Sequence, residues 1–134
     1  MSASLGLALS IPGTANAATY PGSASVSSSY GMASATWTWG PGSANGIKLH
    51  VQDTNCNSNP VFAYFHVIRM GGKGEFDTPN KRYDYNGCNG KGTDHPDLKI
   101  SDGFNIKSVA IVVCNEGLLS NSCKTGTAAA NPLG

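Results

Sequence analysis

Ile47–Asp53 reads IKLHVQD, and its alternation decides the fold class. Ile47, Leu49 and Val51 fall on one side of an extended chain and Lys48, His50 and Gln52 on the other, the pattern of a half-buried strand. Further along, NPVFAYFHVIRM (59–70) is longer and apolar on both faces, as in a central strand covered on both sides or bordering a partner. KRYDYNG (81–87) reads as a short strand running into a turn, and LKIS (98–101) as an edge strand. NIKSVAIVVC (105–114) is the strongest strand, with Val109, Ile111 and Val113 on one face. Asn45-Gly46, Gly71-Gly72, Asn86-Gly87, Asn89-Gly90 and Asp102-Gly103 punctuate these runs as turns. No segment keeps a convincing helical period. Short strands separated by Gly and Asn roughly every 8–12 residues predict an all-β fold, a single antiparallel β-sandwich or small barrel.

The chain before Lys48 is different, for it contains no Asp, Glu, Lys or Arg. Residues 18–46 therefore read as an uncharged Ser/Ala/Gly-rich arm. Its first part, Ala18–Ser29, has too few apolar groups to offset its ordering entropy and is expected to be flexible. A first strand is expected at 33–39, ASATWTW, where a spacing of two points Trp37 and Trp39 the same way. These rings either pack into the protein's own core or, with Tyr30, meet a partner or a sugar, since Trp and Tyr are favoured interface anchors. The β domain proper is expected over residues 47–125 and a flexible tail over 126–134.

Residues 1–17 resemble the end of an export signal. Ser4–Ile11 (SLGLALSI) is a short apolar run, Pro12-Gly13 breaks it, and Ala15-Asn16-Ala17 is an A-x-A cleavage site. No basic residue precedes the run, so Met1 reads as a late start within a truncated leader. The expected location is secreted and extracellular. In that compartment four cysteines predict two disulfides, and no C-x-x-C pair suggests zinc. Of the three possible connectivities, Cys56–Cys88 with Cys114–Cys123 is favoured, because the second pair closes a short hairpin-like loop, CNEGLLSNSC.

Catalytic chemistry finds little support. Serines are plentiful, but no G-x-S-x-G elbow occurs, and a catalytic serine needs a base held by a third group. His50 lies on the outward face of its strand, His66 lies within an apolar strand, and His95 precedes Pro96 in a polar loop. Asp84, Asn86, Asn89, Asp94, Asp97 and Asp102 supply oxygens that could interest calcium, yet the EF-hand order is missing. A turn-rich loop whose Asn and Asp side chains bond their own backbone is the expected state. No metal, no cofactor and no enzymatic activity are expected. Nine basic and eight acidic side chains nearly cancel, which argues against nucleic acid or an anionic membrane as partner.

The sequence of IKLHVQDT and Cys56, VFAYFHV, YDYNG and Cys88, NIKSVAIVVC and Cys123 resembles a group of small secreted actinomycete proteins. These are disulfide-linked β domains, mostly without an assigned activity. The resemblance covers about Ile47 to Cys123 and rests on the DT after the first strand and on cysteine placement. Within that group the chain is also similar to the small adaptor subunit of umbrella toxin particles. That likeness implies a non-catalytic role, in which a compact domain holds a lectin-like subunit and an N-terminal extension docks on the toxin subunit. The expected function is thus a secreted protein-interaction or assembly module contacting its partner through Tyr30, Trp37 and Trp39. Two alternatives remain open: a carbohydrate-binding module using Trp37 and Trp39, and an inhibitor of an extracellular hydrolase presenting a loop such as Cys114–Cys123.

Overall fold

The computed structural model describes residues 18–134; the expected leader, 1–17, lies outside the described residues. Ten strands follow in chain order: β1 (Pro21–Ser27), β2 (Gly31–Gly40), β3 (Ser43–Asp53), β4 (Val61–Arg69), β5 (Glu75–Asp77), β6 (Arg82–Tyr83), β7 (Thr93–Ser101), β8 (Ile106–Asn115), β9 (Ser122–Thr125) and β10 (Ala129–Ala130). Among the described residues the one other regular element is a 3-10 turn, Met70–Gly72. All pairings are antiparallel. One sheet runs β1-β2-β3-β7; the other runs β9-β8-β4-β5, with β10 added to β8 and β6 to β4.

The two sheets face each other over one core. IKLHVQD behaves as its alternation requires, with Ile47, Leu49 and Val51 fully buried. Opposite them stand Val61, Ala63, Phe65 and Val67 of β4 and Val109, Ile111 and Val113 of β8. β4 and β8 are apolar on their outer faces too. There Phe62, Val112 and Cys114 form a second small cluster, covered by Tyr64 and Tyr83. The two-sided apolar pattern of β4 therefore reflects cover by the chain's own β6 and disulfide.

The uncharged N-terminal stretch is not a free arm. β1 pairs with β2 from Pro21↔Thr38 to Ser27↔Met32, so most of the expected flexible segment is an ordered edge strand. The first strand is thus β1, and the one expected at 33–39 is the longer β2. The entropy argument fails here because β1 needs few apolar groups of its own. Val26 enters the core, and β2 supplies the ladder. The tail is also partly ordered. β10 pairs with β8, and buried Asn131 donates from Nδ2 to Gly40 O at 2.9 Å.

Asn45-Gly46 is a bulge and not a turn. The hairpin turn is Pro41-Gly42, between paired Gly40 and Ser43. The register slips between Thr36↔Lys48 and Thr38↔Asn45, with Gly46 at φ 58°. One extra residue in β3 exchanges its faces, because side chains alternate with a period of two. Ala44 and Ile47 can then both point inward beneath Trp39 and Trp37.

Candidate functional site

β2 carries both tryptophans on its core-facing side, with Ala33 and Ala35. Trp37 is 4% exposed and Trp39 is 5% exposed. Their rings meet edge to face at a centroid distance of 5.2 Å, and Trp37 also meets Phe65 of the facing sheet at 6.5 Å. Gly22, paired with Trp37, makes room for them: a Cβ there would sit 2.1 Å from Trp37 Nε1. That Nε1 is buried without a hydrogen-bond partner, which subtracts from the net gain of the burial. Tyr30 is half-buried and donates its hydroxyl to Val113 O across the core at 3.2 Å. The expected contact trio is therefore internal packing in this fold. Neither indole offers a face to a partner or a sugar, and the physical reason is the small neighbours on β2 and β1, which let large rings fill the inter-sheet space.

On the outer face of the β1–β2–β3–β7 sheet, Ser34, His50 and Asp94 fall in one row, each in register with the next. The row has the composition of a nucleophile, base and orienting acid but not its geometry. His50 Nδ1 lies 2.7 Å from Asp94 Oδ1, and Nε2 lies 3.2 Å from Gln52 Oε1. Both ring nitrogens are thus occupied, and neither is bonded to Ser34. The Asp94 carboxylate, outweighing burial, raises the His50 pKa above its ordinary 6.5, favouring a protonated imidazolium over a free base. His66 is a second such case on the other sheet: its nitrogens lie 2.7 Å from Asp77 Oδ1 and 2.7 Å from Glu75 Oε1.

The acidic loop folds on itself around Asp84, as its residue types suggest, but Asp94, His95 and Asp97, expected in that loop, lie in strand β7. Asp84 is buried; Oδ2 accepts from Asp53 N at 2.8 Å, and Oδ1 accepts from Asn86 N at 2.8 Å and Thr93 Oγ1 at 3.0 Å. Asp94 faces His50, and Asp102 holds Arg69 through Nε at 2.7 Å. The six residues do not converge on a point. Among the described residues no three His, Cys, Asp or Glu side chains are grouped to hold a metal ion. The disulfides pair as favoured, Cys56–Cys88 and Cys114–Cys123, so the protein belongs to an oxidising environment. Among the described residues no helix is long and apolar enough to cross a membrane.

The Cys114–Cys123 loop, a candidate presented edge from the sequence, is the tip of the β8–β9 hairpin, and the feature not foreseen there is its pair of leucines. Cys114 and Cys123 are paired in register, closing the loop at its base. Above the disulfide, Glu116 N donates to Pro60 O at 2.8 Å and Asn57 Nδ2 donates to Asn115 Oδ1 at 3.3 Å. Tyr83 donates its hydroxyl to the Glu116 carboxylate, which pushes the phenol's pKa up to about 12. Gly117 closes the turn; a Cβ there would lie 2.2 Å from Ser120 O. At the top stand Leu118 and Leu119, 102% and 100% exposed. A signal was present: two adjacent leucines lie inside a loop whose cysteines are only nine residues apart, too short to fold back and bury them.

No protein-family model, no curated protein and no solved structure matches this chain. Its own geometry is what bears on its function.

Proposed function

We propose that this protein is a secreted, non-catalytic interaction module that inserts Leu118 and Leu119 into an apolar pocket of a protein partner. The observation that carries the reading is the full exposure of both leucines on a turn held by a disulfide, a Tyr–Glu hydrogen bond and backbone contacts. Burying each leucine would contribute roughly 1.5–3 kcal/mol. The clamped base lowers the ordering cost that a free loop would carry on binding. Glu116 is the single charge between the two cysteines, so the tip lacks the Lys and Arg that accompany apolar insertion into anionic bilayers. A protein pocket is the better match.

Export is supported by the two disulfides and by the leader-like residues 1–17. The resemblance to adaptor subunits makes an extracellular toxin assembly the proposed setting, with a lectin-like or toxin subunit as partner. The docking element moves from the N-terminal stretch, which is largely sheet, to the hairpin tip. The same clamped loop also favours a second reading, inhibition of an extracellular hydrolase whose cleft admits an apolar side chain.

The test is co-purification from culture supernatant under non-reducing conditions, comparing wild type with Leu118→Asp/Leu119→Asp. Both readings expect a partner that the variant loses while its melting temperature is kept. A recovered hydrolase whose activity falls on binding selects the inhibitor. A partner retained equally by the variant refutes the tip.

A further inference from the structure

The two sheets close against each other on one side and stay apart on the other. Along the closed side β1 meets the chain around β9: Lys124 Nζ donates to Ser27 O at 2.7 Å, and Gly126 packs on Ser25 O. Along the other side β5 is only three residues long, and it faces β7, the edge of the opposite sheet. The gap between them is a slot of about 170 Å³. Its floor is core, formed by Ile47, Phe65 and Ile100, and its walls are the half-buried Phe76 and Leu98. Arg82 and Lys99 stand at the rim. Among the described residues neither forms a salt bridge; the four present involve His50, His66 and Arg69.

We propose that this slot receives one apolar side chain from an extended segment of a protein partner that carries carboxylates on either side of it. An apolar floor rewards burial of a hydrocarbon group, and two uncompensated cations at the mouth select its acidic neighbours. An extended segment suits the place because the opening lies along a sheet edge, where an added strand finds unpaired backbone groups. A second copy of this protein is a poorer occupant. Its own exposed leucines follow Glu116, but that carboxylate is already held by Tyr83 and is not free for Arg82 or Lys99. The slot stands on different residues from the hairpin tip, and neither proposal needs the other. Together they would let one small domain bridge two molecules.

The experiment is a titration of ¹⁵N-labelled protein with three capped tripeptides, Glu-Leu-Glu, Glu-Ala-Glu and Lys-Leu-Lys, read by amide shifts. Glu-Leu-Glu is expected to shift the amides of Phe76, Leu98 and Ile100 with weak, roughly millimolar affinity, and to bind about tenfold better than either control. Lys99→Glu with Arg82→Glu should reverse the preference toward Lys-Leu-Lys. Should the Arg82 change impair folding, Lys99→Glu alone must weaken Glu-Leu-Glu. No localised shift at about 10 mM peptide, equal responses to all three, or shifts centred elsewhere would each overturn the proposal. So would sedimentation showing self-association that Lys99→Glu abolishes, since the occupant would then be a second copy.

Discussion

Trp37 and Trp39 are the protein's largest side chains, and they lie sealed between the sheets; Leu118 and Leu119 are smaller, and they stand wholly in solvent. The contrast comes from what surrounds each pair. β2 offers Ala33 and Ala35 on the same face, β1 offers Gly22 beside the rings, and a bulge in β3 brings Ala44 and Ile47 beneath them. The glycine and alanines among them leave a volume that large rings fill. The leucines have no such volume within reach, because Cys114–Cys123 and the Tyr83–Glu116 bond fix the base of their short loop. An aromatic pair in a strand is thus a weaker sign of a binding surface than an aliphatic pair that the chain has been prevented from burying.

The largest effect should come from breaking the buried side of that contrast. Trp37→Ala or Trp39→Ala is expected to cost roughly 3–5 kcal/mol, read from urea unfolding curves. An unchanged midpoint in both variants would mean that the rings are not core. Next in size are the cross-links. Replacing Cys56 and Cys88 by Ala should cost about 3.5 kcal/mol, and replacing Cys114 and Cys123 by Ala about 2.5 kcal/mol, because the first pair spans the longer loop. The order of the two losses in thermal melts is the sharper check. The shorter cross-link should matter more for partner binding, since it holds the tip.

Leu118→Asp/Leu119→Asp should change stability by less than about 0.5 kcal/mol, since neither side chain contacts the core. Circular dichroism melts would show this, and a large loss would mean that the tip is packed. This pairing of unequal losses, severe at the indoles and slight at the leucines, is the direct measure of which region is interior.

Much of the sheet was legible because alternation is a local property. Ile47, Leu49 and Val51 share a face in any strand, and β8 declares itself by β-branched residues. The disulfide pairing was readable for a similar reason, one loop being short. What escaped was set by distant partners. Ala18–Ser29 looks unable to order itself, but β2 supplies a ladder from further along the chain. Asn45-Gly46 has turn composition, yet the hairpin had already turned at Pro41-Gly42, so the glycine serves a bulge. Whether Trp37 faces inward depends on Gly22 and Phe65, neither of which its own neighbourhood reveals. Of the site, the loop, its disulfide and the shortness that exposes the leucines were legible, but the anchoring of the loop needed the positions of Pro60 and Tyr83.

Another small effect is one of pH, and it separates the strand faces from the tip. His66 is bonded first by Asp77 and then by Glu75, and despite some desolvation its pKa in the fold lies above the ordinary 6.5. A group raised on folding binds its proton more tightly in the native state. Its contribution is therefore complete below about pH 6.5 and disappears as the pH rises through the folded-state value. Both carboxylates are well exposed and His66 is half-buried, so solvent screening holds the contribution to at most about 1 kcal/mol. Melting curves at pH 6 and pH 9 should show wild type losing a little stability on the way up, and His66→Gln losing less. His50 shifts in the same direction through Asp94 and adds to the same dependence. A His66→Gln protein with the full wild-type pH dependence would remove His66 from this account. The tip should not share the dependence. Tyr83, with its pKa pushed up to about 12, remains a neutral donor to Glu116 throughout that range, so partner binding should hold from pH 6 to 9 while the melting temperature drifts.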